Sequence, residues 1–117
     1  RMLQRLLATF SRIDGVRSAV VVDTEMTPVA TFLDPALAGV EVNFGLLEVL
    51  REAERLSSAS GLPNLEQIWV ESDRGNVLMA PLEDGHVILV SSTDASNIGR
   101  LRHEIRARAP VIEDLLR

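Results

Sequence analysis

The part of the chain from residue 65 to residue 92 constrains the fold more than any other. It holds three strand-like segments, Leu65–Ser72, Val77–Pro81 and His86–Ser92, with only four residues between one segment and the next. Both connections contain Asp and Gly, which is the chemistry of tight turns. A parallel pair of strands needs a crossover of about a dozen residues or more, so these three strands must be antiparallel neighbours.

The residues before this region predict a helix and a hairpin. Apolar residues at spacings of three and four predict a helix over residues 2–13, which Asp14 and Gly15 would end. Val16–Asp23 and Val29–Leu33 are predicted as two strands joined by a turn. Four consecutive apolar residues within the first strand indicate that both of its faces are covered.

Two further helices complete the pattern. One is predicted from Asn43, as its N-cap, to about Ser58. The last would begin at a cap provided by Asp94 or Ser96, and Pro110 would either kink it or divide it into two short helices. The elements together predict an α+β fold in the order α-β-β-α-β-β-β-α, with a five-stranded antiparallel sheet and helices on both of its faces.

Composition excludes several classes of function. The chain contains no cysteine and no lysine, which excludes thiolate metal sites, cysteine nucleophiles and lysine bases. All 12 basic residues are arginine and the net charge is −5, which argues against nucleic acid or an anionic membrane as the partner. No apolar run approaches about 20 residues, and the first residues lack the pattern of a secretory signal, so we expect a cytoplasmic protein.

The polar residues form no recognisable catalytic or metal-binding pattern. His86 begins a strand after a turn, and His103 falls on the outer side of the last helix, so both are interpreted as surface residues. Adjacent carboxylates, as at Glu83 and Asp84, occur in a turn, where solvation explains them. The glycines form no phosphate-binding loop. We therefore expect no catalytic, cofactor-binding or metal-ligating residue, and a protein that is not an enzyme.

One strand carries a feature typical of association. Trp69 is the only tryptophan in a chain without tyrosine, and strand alternation places it on the same face as Leu65 and Gln67. Tryptophan is enriched at the buried centres of protein interfaces. Simple core packing of Trp69 under a helix is the alternative.

The second helix carries a comparable feature. Its main apolar face is predicted to consist of five residues: Leu46, Val49, Leu50, Ala53 and Leu56. Phe44 and Leu47 fall outside this arc, on the flank next to Arg51. A helix that is apolar on a second arc often touches another chain. Phe44 could instead be a local hydrophobic staple at the helix start.

The last helix is locally basic within an acidic protein. Arg100, Arg102, Arg106 and Arg108 lie within nine residues of one another, and Arg102 and Arg106 share one flank. One interpretation is a solvated face paired to nearby carboxylates. The other is an electrostatic patch of Arg100, Arg102 and Arg106 that orients an acidic partner.

The element order and several short phrases resemble the roadblock family, which includes dynein light chains and the MglB-like bacterial regulators of Ras-like GTPases. The phrases that carry the resemblance are, in chain order, Ile13–Val16, Ala19–Asp23, Pro28–Ala30, Glu66–Glu71, Arg74–Gly75, Pro81–Gly85 and Asn97–Arg102. They extend over nearly the whole chain, which is thereby identified as a single roadblock-like domain over residues 1–117.

The resemblance implies a non-catalytic homodimer that regulates or scaffolds a Ras-like small GTPase. In the family, the second helix and the third strand meet their counterparts in the other subunit, and these correspond here to Asn43–Ser58 and Leu65–Ser72. The residues expected at a dimer or partner interface are Phe44, Leu47, Leu50, Arg51, Leu65, Gln67 and Trp69. Two alternatives stay open: a dimerisation adaptor in a larger signalling or motor complex, and a small-molecule sensor domain.

Overall fold

The computed structural model describes residues 1–37, 45–93 and 97–117. Three helices and five strands follow the predicted order. Their bounds are α1 Met2–Ala8, β1 Val16–Val22, β2 Pro28–Leu33, α2 Leu46–Ala59, β3 Ile68–Ser72, β4 Gly75–Pro81, β5 Val87–Ser92 and α3 Ile98–Leu116. Short 3₁₀ turns extend α1 over Thr9–Arg12 and occupy Pro35–Leu37 and Glu83–Gly85.

The five strands form one antiparallel sheet in the order β2-β1-β5-β4-β3. The β1–β2, β3–β4 and β4–β5 neighbours are those that the short connections predict. The sequence did not predict the pairing of β1 with β5, in which Val20 lies opposite Leu89 and Val21 opposite Ile88. This pairing places β1 and β5 in the interior of the sheet and leaves β2 and β3 at its edges.

Each face of the sheet carries its own core. On one face, α1 and α3 cover alternate strand residues, and Phe10, Leu101 and Ile105 are buried there. On the other face, Leu47 and Leu50 of α2 pack against a second set of buried strand residues, which includes Val20, Val22, Met79, Val87 and Leu89. Helices therefore lie on both faces, as predicted, and the apolar run of β1 supplies residues to both cores.

The ends of the helices differ in part from the prediction. The first helix stops at Ala8, although Phe10 and Ile13 remain buried in the turn that follows. The last helix is capped by Asn97, whose Oδ1 accepts a hydrogen bond from the Arg100 backbone N–H at 3.0 Å. The predicted caps at Asn43, Asp94 and Ser96 lie outside the described residues.

Pro110 does not divide the last helix, which runs continuously from Ile98 to Leu116. Pro110 itself is exposed, while Ile105 and Ile112 on either side of it stay buried. The helix therefore keeps its apolar face on the sheet despite the backbone N–H that proline lacks.

Arg108 fastens α3 to the end of α1. Its guanidinium carbon lies 4.7 Å from the centre of the Phe10 ring, and its Nε donates to Thr9 Oγ1 at 3.0 Å. Its Nη1 also donates to Glu104 Oε1 at 3.1 Å. Of the four arginines in the predicted basic set, Arg108 therefore has a structural role between helices.

Candidate partner-binding surfaces

Strand β3 presents Trp69 at an edge of the sheet. Trp69 pairs with Leu78 of β4 and is 44% exposed, so it is not a core residue of the subunit. Its neighbours Ile68 and Val70 point to the opposite face and pack against the α2-side core. Among the described residues no strand pairs with the outer side of β3. A large aromatic side chain is therefore displayed beside an open row of backbone groups.

Helix α2 presents a different set of apolar residues from the predicted one. Leu47 is only 2% exposed and Leu50 is fully buried, both against the sheet of their own subunit. Val49 and Leu56, predicted to face the core, are 44% and 51% exposed. The predicted division of this helix is therefore right for Leu50 and wrong for Leu47, Val49 and Leu56.

The reason for this error is that the apolar arc of α2 is broader than the strip the sheet can cover. The sheet takes the half that contains Leu47 and Leu50. The half that contains Val49 and Leu56 remains on the surface, with a spacing of seven residues that keeps both on one side of the helix. Phe44 lies outside the described residues.

Arg51 connects α2 to the turn between β4 and β5. Its Nη2 donates to the Gly85 carbonyl oxygen and its Nη1 to Glu54 Oε1, each at 3.0 Å. Both contacts lie within the subunit, so Arg51 helps to fix the position of α2 on the sheet.

The structure joins the β3 segment to the basic helix, two features that the sequence analysis treated separately. The side chain of Gln67, just before β3, donates through Nε2 to the Arg102 carbonyl oxygen at 3.0 Å. Glu66 accepts from Arg106 Nη2 at 2.7 Å. Leu65, predicted to share a face with Trp69, is half-buried and instead packs against the α2-side core, because the strand begins only at Ile68 and its alternation does not extend back to Leu65. The residues that lead into β3 are therefore held against α3, close to its arginines.

The arginines of α3 divide into paired and unpaired groups. Arg106 is paired with Glu66, whereas Arg100 and Arg102 are exposed and form no ion pair with the described residues. A shallow depression of about 160 Å³ lies along this flank of the helix, lined by Gly99, Arg102, His103 and Arg106. The pairing with carboxylates therefore applies to Arg106, whereas the electrostatic patch stays a prediction for Arg100 and Arg102.

Surface ion pairs account for the pKa shifts that the structure resolves. A hydrogen bond from Arg55 holds the pKa of Glu52 below its usual value. A hydrogen bond from Arg108, followed by the nearby positive charges, lowers the pKa of Glu104 in the same way. Such shifts belong to surface pairs rather than to a titrating group in a cleft.

Within residues 1–37, 45–93 and 97–117, no group of three or more His, Asp or Glu side chains is arranged to hold a metal ion. No helix in this part of the chain is both long and apolar enough to cross a membrane.

Comparison with known proteins gives one sequence relative and several structural ones, and no family model matches the chain. The chain is 34% identical over 113 residues to the uncharacterized protein MJ0714 of Methanocaldococcus jannaschii, covering 96% of this chain and 94% of that protein.

Three solved structures share the fold at low sequence identity. Myxococcus xanthus MglB has a TM-score of 0.79 at 11% identity, covering 98% of this chain and 94% of that one. MglC from the same organism has a TM-score of 0.65 at 17% identity, with 97% and 96% covered. A Roadblock/LC7 domain from Streptomyces avermitilis has a TM-score of 0.71 at 21% identity, with 98% and 95% covered. The chain therefore belongs to one family with MJ0714, and its fold is the roadblock/MglB-like fold.

Proposed function

We propose that this chain is a non-catalytic, homodimeric regulator or scaffold of a Ras-like small GTPase in the bacterial cytoplasm. The fold that it shares with MglB, MglC and a Roadblock/LC7 domain supports a roadblock-type regulator. The observation that carries the proposal is the outer edge of β3, unpaired among the described residues, with Trp69 exposed beside it.

In the proposed dimer, β3 pairs with β3 of a second copy about a two-fold axis. Such a contact is self-complementary and satisfies the outward backbone groups of both edge strands. It would extend the five-stranded sheet across both subunits. Val49 and Leu56 would be covered in the same association, because they are the exposed apolar positions of the helix that the family resemblance assigns to the interface.

The proposed partner contact uses the α3 side of the sheet. Pairing through β3 would bring two copies of the α3 arginines to the same face, one on each side of the two-fold axis. Arg100 and Arg102 are free to meet an acidic surface, and complementary charge mainly accelerates and orients association. In this proposal the dimer binds the GTPase through this face, and the residues that hydrolyse the nucleotide are those of the GTPase.

Substitution of Trp69→Asp tests the dimer. We expect it to shift the protein towards monomer in sedimentation velocity, because a charge would have to be buried in the contact. The matched control is Met26→Asp, since Met26 is 42% exposed and lies in the turn at the other edge of the sheet. A Trp69→Asp protein that dimerised as well as the control would show that β3 is not the interface.

A pull-down tests the partner. The tagged protein would be incubated with lysate of the source cells, once with a non-hydrolysable GTP analogue and once with GDP. We expect a Ras-like GTPase to be recovered mainly in one nucleotide state. Equal recovery in both states, or recovery of other proteins only, would instead favour the dimerisation adaptor.

A small-molecule sensor is the remaining alternative, and one observation favours it. A depression of about 270 Å³ lies between α3 and the segment before β3, and its lining includes Gln67, Pro81 and Arg106. A ligand that copurified with wild type but not with the Arg106→Ala variant would support this alternative over the GTPase regulator.

A further inference from the structure

The two edges of the sheet are built differently. At β3 the ladder to β4 runs without interruption from Ile68 opposite Met79 to Ser72 opposite Gly75, and β3 contains no proline. No side chain of the described residues hydrogen-bonds to the backbone of β3 between Ile68 and Glu71. β3 carries one exposed charged side chain, Glu71, but it lacks the proline, the register shift and the side-chain hydrogen bonds that keep a strand from pairing with another chain.

Strand β2, at the other edge, has three such features. It begins with Pro28, which lacks a backbone N–H. Its register with β1 shifts next to Pro28, since Val21 lies opposite Ala30 and Val22 opposite Pro28, so that Val29 is an extra residue. Each feature disfavours the regular row of hydrogen bonds that an added strand needs.

The third feature is a clamp made by Gln4 of α1 on Thr31, in the middle of β2. Gln4 Oε1 accepts from the Thr31 backbone N–H at 3.1 Å, and Gln4 Nε2 donates to the Thr31 carbonyl oxygen. Both Thr31 groups therefore point away from β1. In an antiparallel ladder, such a residue exchanges two N–H···O bonds with its neighbour. The carboxamide of glutamine, with one acceptor and two donors, occupies both of those positions.

We propose that Gln4 closes the β2 edge against a second copy of this chain, so that the sheet is not extended through β2. An interface that closes on itself gives a finite assembly, whereas a sheet open at both edges can add subunits without limit. The proposal concerns β2 alone and does not require the β3 dimer of the proposed function.

Substitution of Gln4→Ala opens the edge. Because Gln4 is exposed on α1 and alanine is the best helix former, the fold should be retained, which a thermal melt checks. In sedimentation velocity over a range of concentrations, we expect an additional association step that wild type lacks. The constant for association through β2, too weak to detect in wild type, should rise by at least on the order of tenfold, because two hydrogen bonds that compete with pairing are removed. Arg5→Ala, at the exposed neighbouring position, should leave the distribution unchanged.

A second substitution in β2 identifies the edge used. Thr31→Pro removes the freed N–H without touching the ladder to β1, because that N–H points outwards. The Gln4→Ala/Thr31→Pro protein should return to the wild-type distribution. If proline disturbs the fold, Thr31→Lys is the substitute, since lysine on an edge strand opposes pairing through its charge.

Amide hydrogen exchange adds a readout that does not depend on assembly. The Thr31 amide should exchange faster in dilute Gln4→Ala protein than in wild type, since its acceptor is gone. An unchanged sedimentation distribution for Gln4→Ala would overturn the proposal, as would association that persists in the double variant. These outcomes are separate from the dimer test. The oligomeric state of wild type tests pairing through β3, whereas the change in oligomeric state caused by Gln4→Ala tests pairing through β2.

Discussion

The contacts of Arg108 could not be predicted from the sequence. In the sequence it is one of four arginines on a basic helix, whereas in the structure it is shared among the Phe10 ring, the Thr9 hydroxyl and the Glu104 carboxylate. The ring that Arg108 contacts belongs to Phe10, which is distant in sequence, so helix spacing alone could not separate Arg108 from Arg100 and Arg102.

The Glu104–Arg108 pair has a consequence for pH. The hydrogen bond from Arg108 lowers the pKa of Glu104 in the folded state. A carboxyl group whose pKa is lower folded than unfolded stabilises the fold above its unfolded pKa, and this stabilisation is lost as the pH falls through the folded pKa. Wild type should therefore melt at a higher temperature than Glu104→Gln at about pH 7, and the gap should narrow as the pH falls to about 3.

The Arg108→Ala background provides the control for this pH effect. In that background the pH-dependent difference in melting temperature caused by Glu104→Gln should be much smaller, because the main cause of the lowered pKa is absent. A difference in melting temperature between wild type and Glu104→Gln that did not change with pH would show that ionisation of Glu104 does not contribute to stability.

At the scale of the element, the sequence predicted where the helices and strands lie better than it predicted which of them contact one another. Alternation and turn residues act over a few neighbours, so β4 and β5 were predicted to within two residues at each end. The pairing of β1 with β5 joins residues about 70 positions apart, as at Val20 and Leu89, and periodicity carries no information over that distance. The sequence could therefore predict which hairpins form but not which strands occupy the interior.

The candidate interface shows the same limit. Trp69 and its strand could be identified from composition and alternation, although only the structure decides that this residue is exposed. The sequence also indicated that α2 has more apolar surface than its contact with the sheet can bury. Which half meets the sheet depends on how the helix is rotated, and the sequence placed Leu50 correctly but exchanged Leu47 with Val49 and Leu56.

Helix α2 gives a prediction that separates its two halves. Val49→Asp should weaken self-association in sedimentation velocity while changing the free energy of unfolding by no more than about 0.5 kcal/mol, since surface substitutions usually fall in that range. Leu50→Ala should instead lower the free energy of unfolding by about 2–5 kcal/mol in urea denaturation, because it leaves a cavity in a core. A Val49→Asp protein as unstable as Leu50→Ala would show that Val49 is not a surface residue.

At the scale of the whole molecule, charge is unevenly distributed. The net charge is −5, yet Arg100 and Arg102 on α3 are unpaired among the described residues, as are Arg5 and Arg12 on the adjoining α1 segment. The side of the sheet that carries these two helices is therefore the more positive one. Long-range charge of this kind acts mainly on the rate at which an oppositely charged partner associates.

This distribution predicts a salt-dependent association. Arg102→Glu should slow association with the GTPase recovered in the pull-down by on the order of tenfold at low ionic strength. The difference from wild type should shrink towards about 1 M salt, where charges more than a few ångströms apart are screened. Arg74→Glu is the control, because Arg74 is exposed in the turn between β3 and β4 and makes the same change in net charge. Equal slowing by both variants would indicate that net charge, rather than α3, governs association.

The pairing of β1 with β5 also determines when this chain can fold during its synthesis. Strand β1 lies near the beginning of the chain, but its second neighbour is complete only when Ser92 has been made. Until then Val20 and Val22 lack Val87 and Leu89, the neighbours that share their core. Contacts between distant residues generally form late and slow folding. The nascent chain therefore leaves one apolar side of β1 incompletely covered until β5 has been made, and we expect the risk of aggregation to be greatest in that interval.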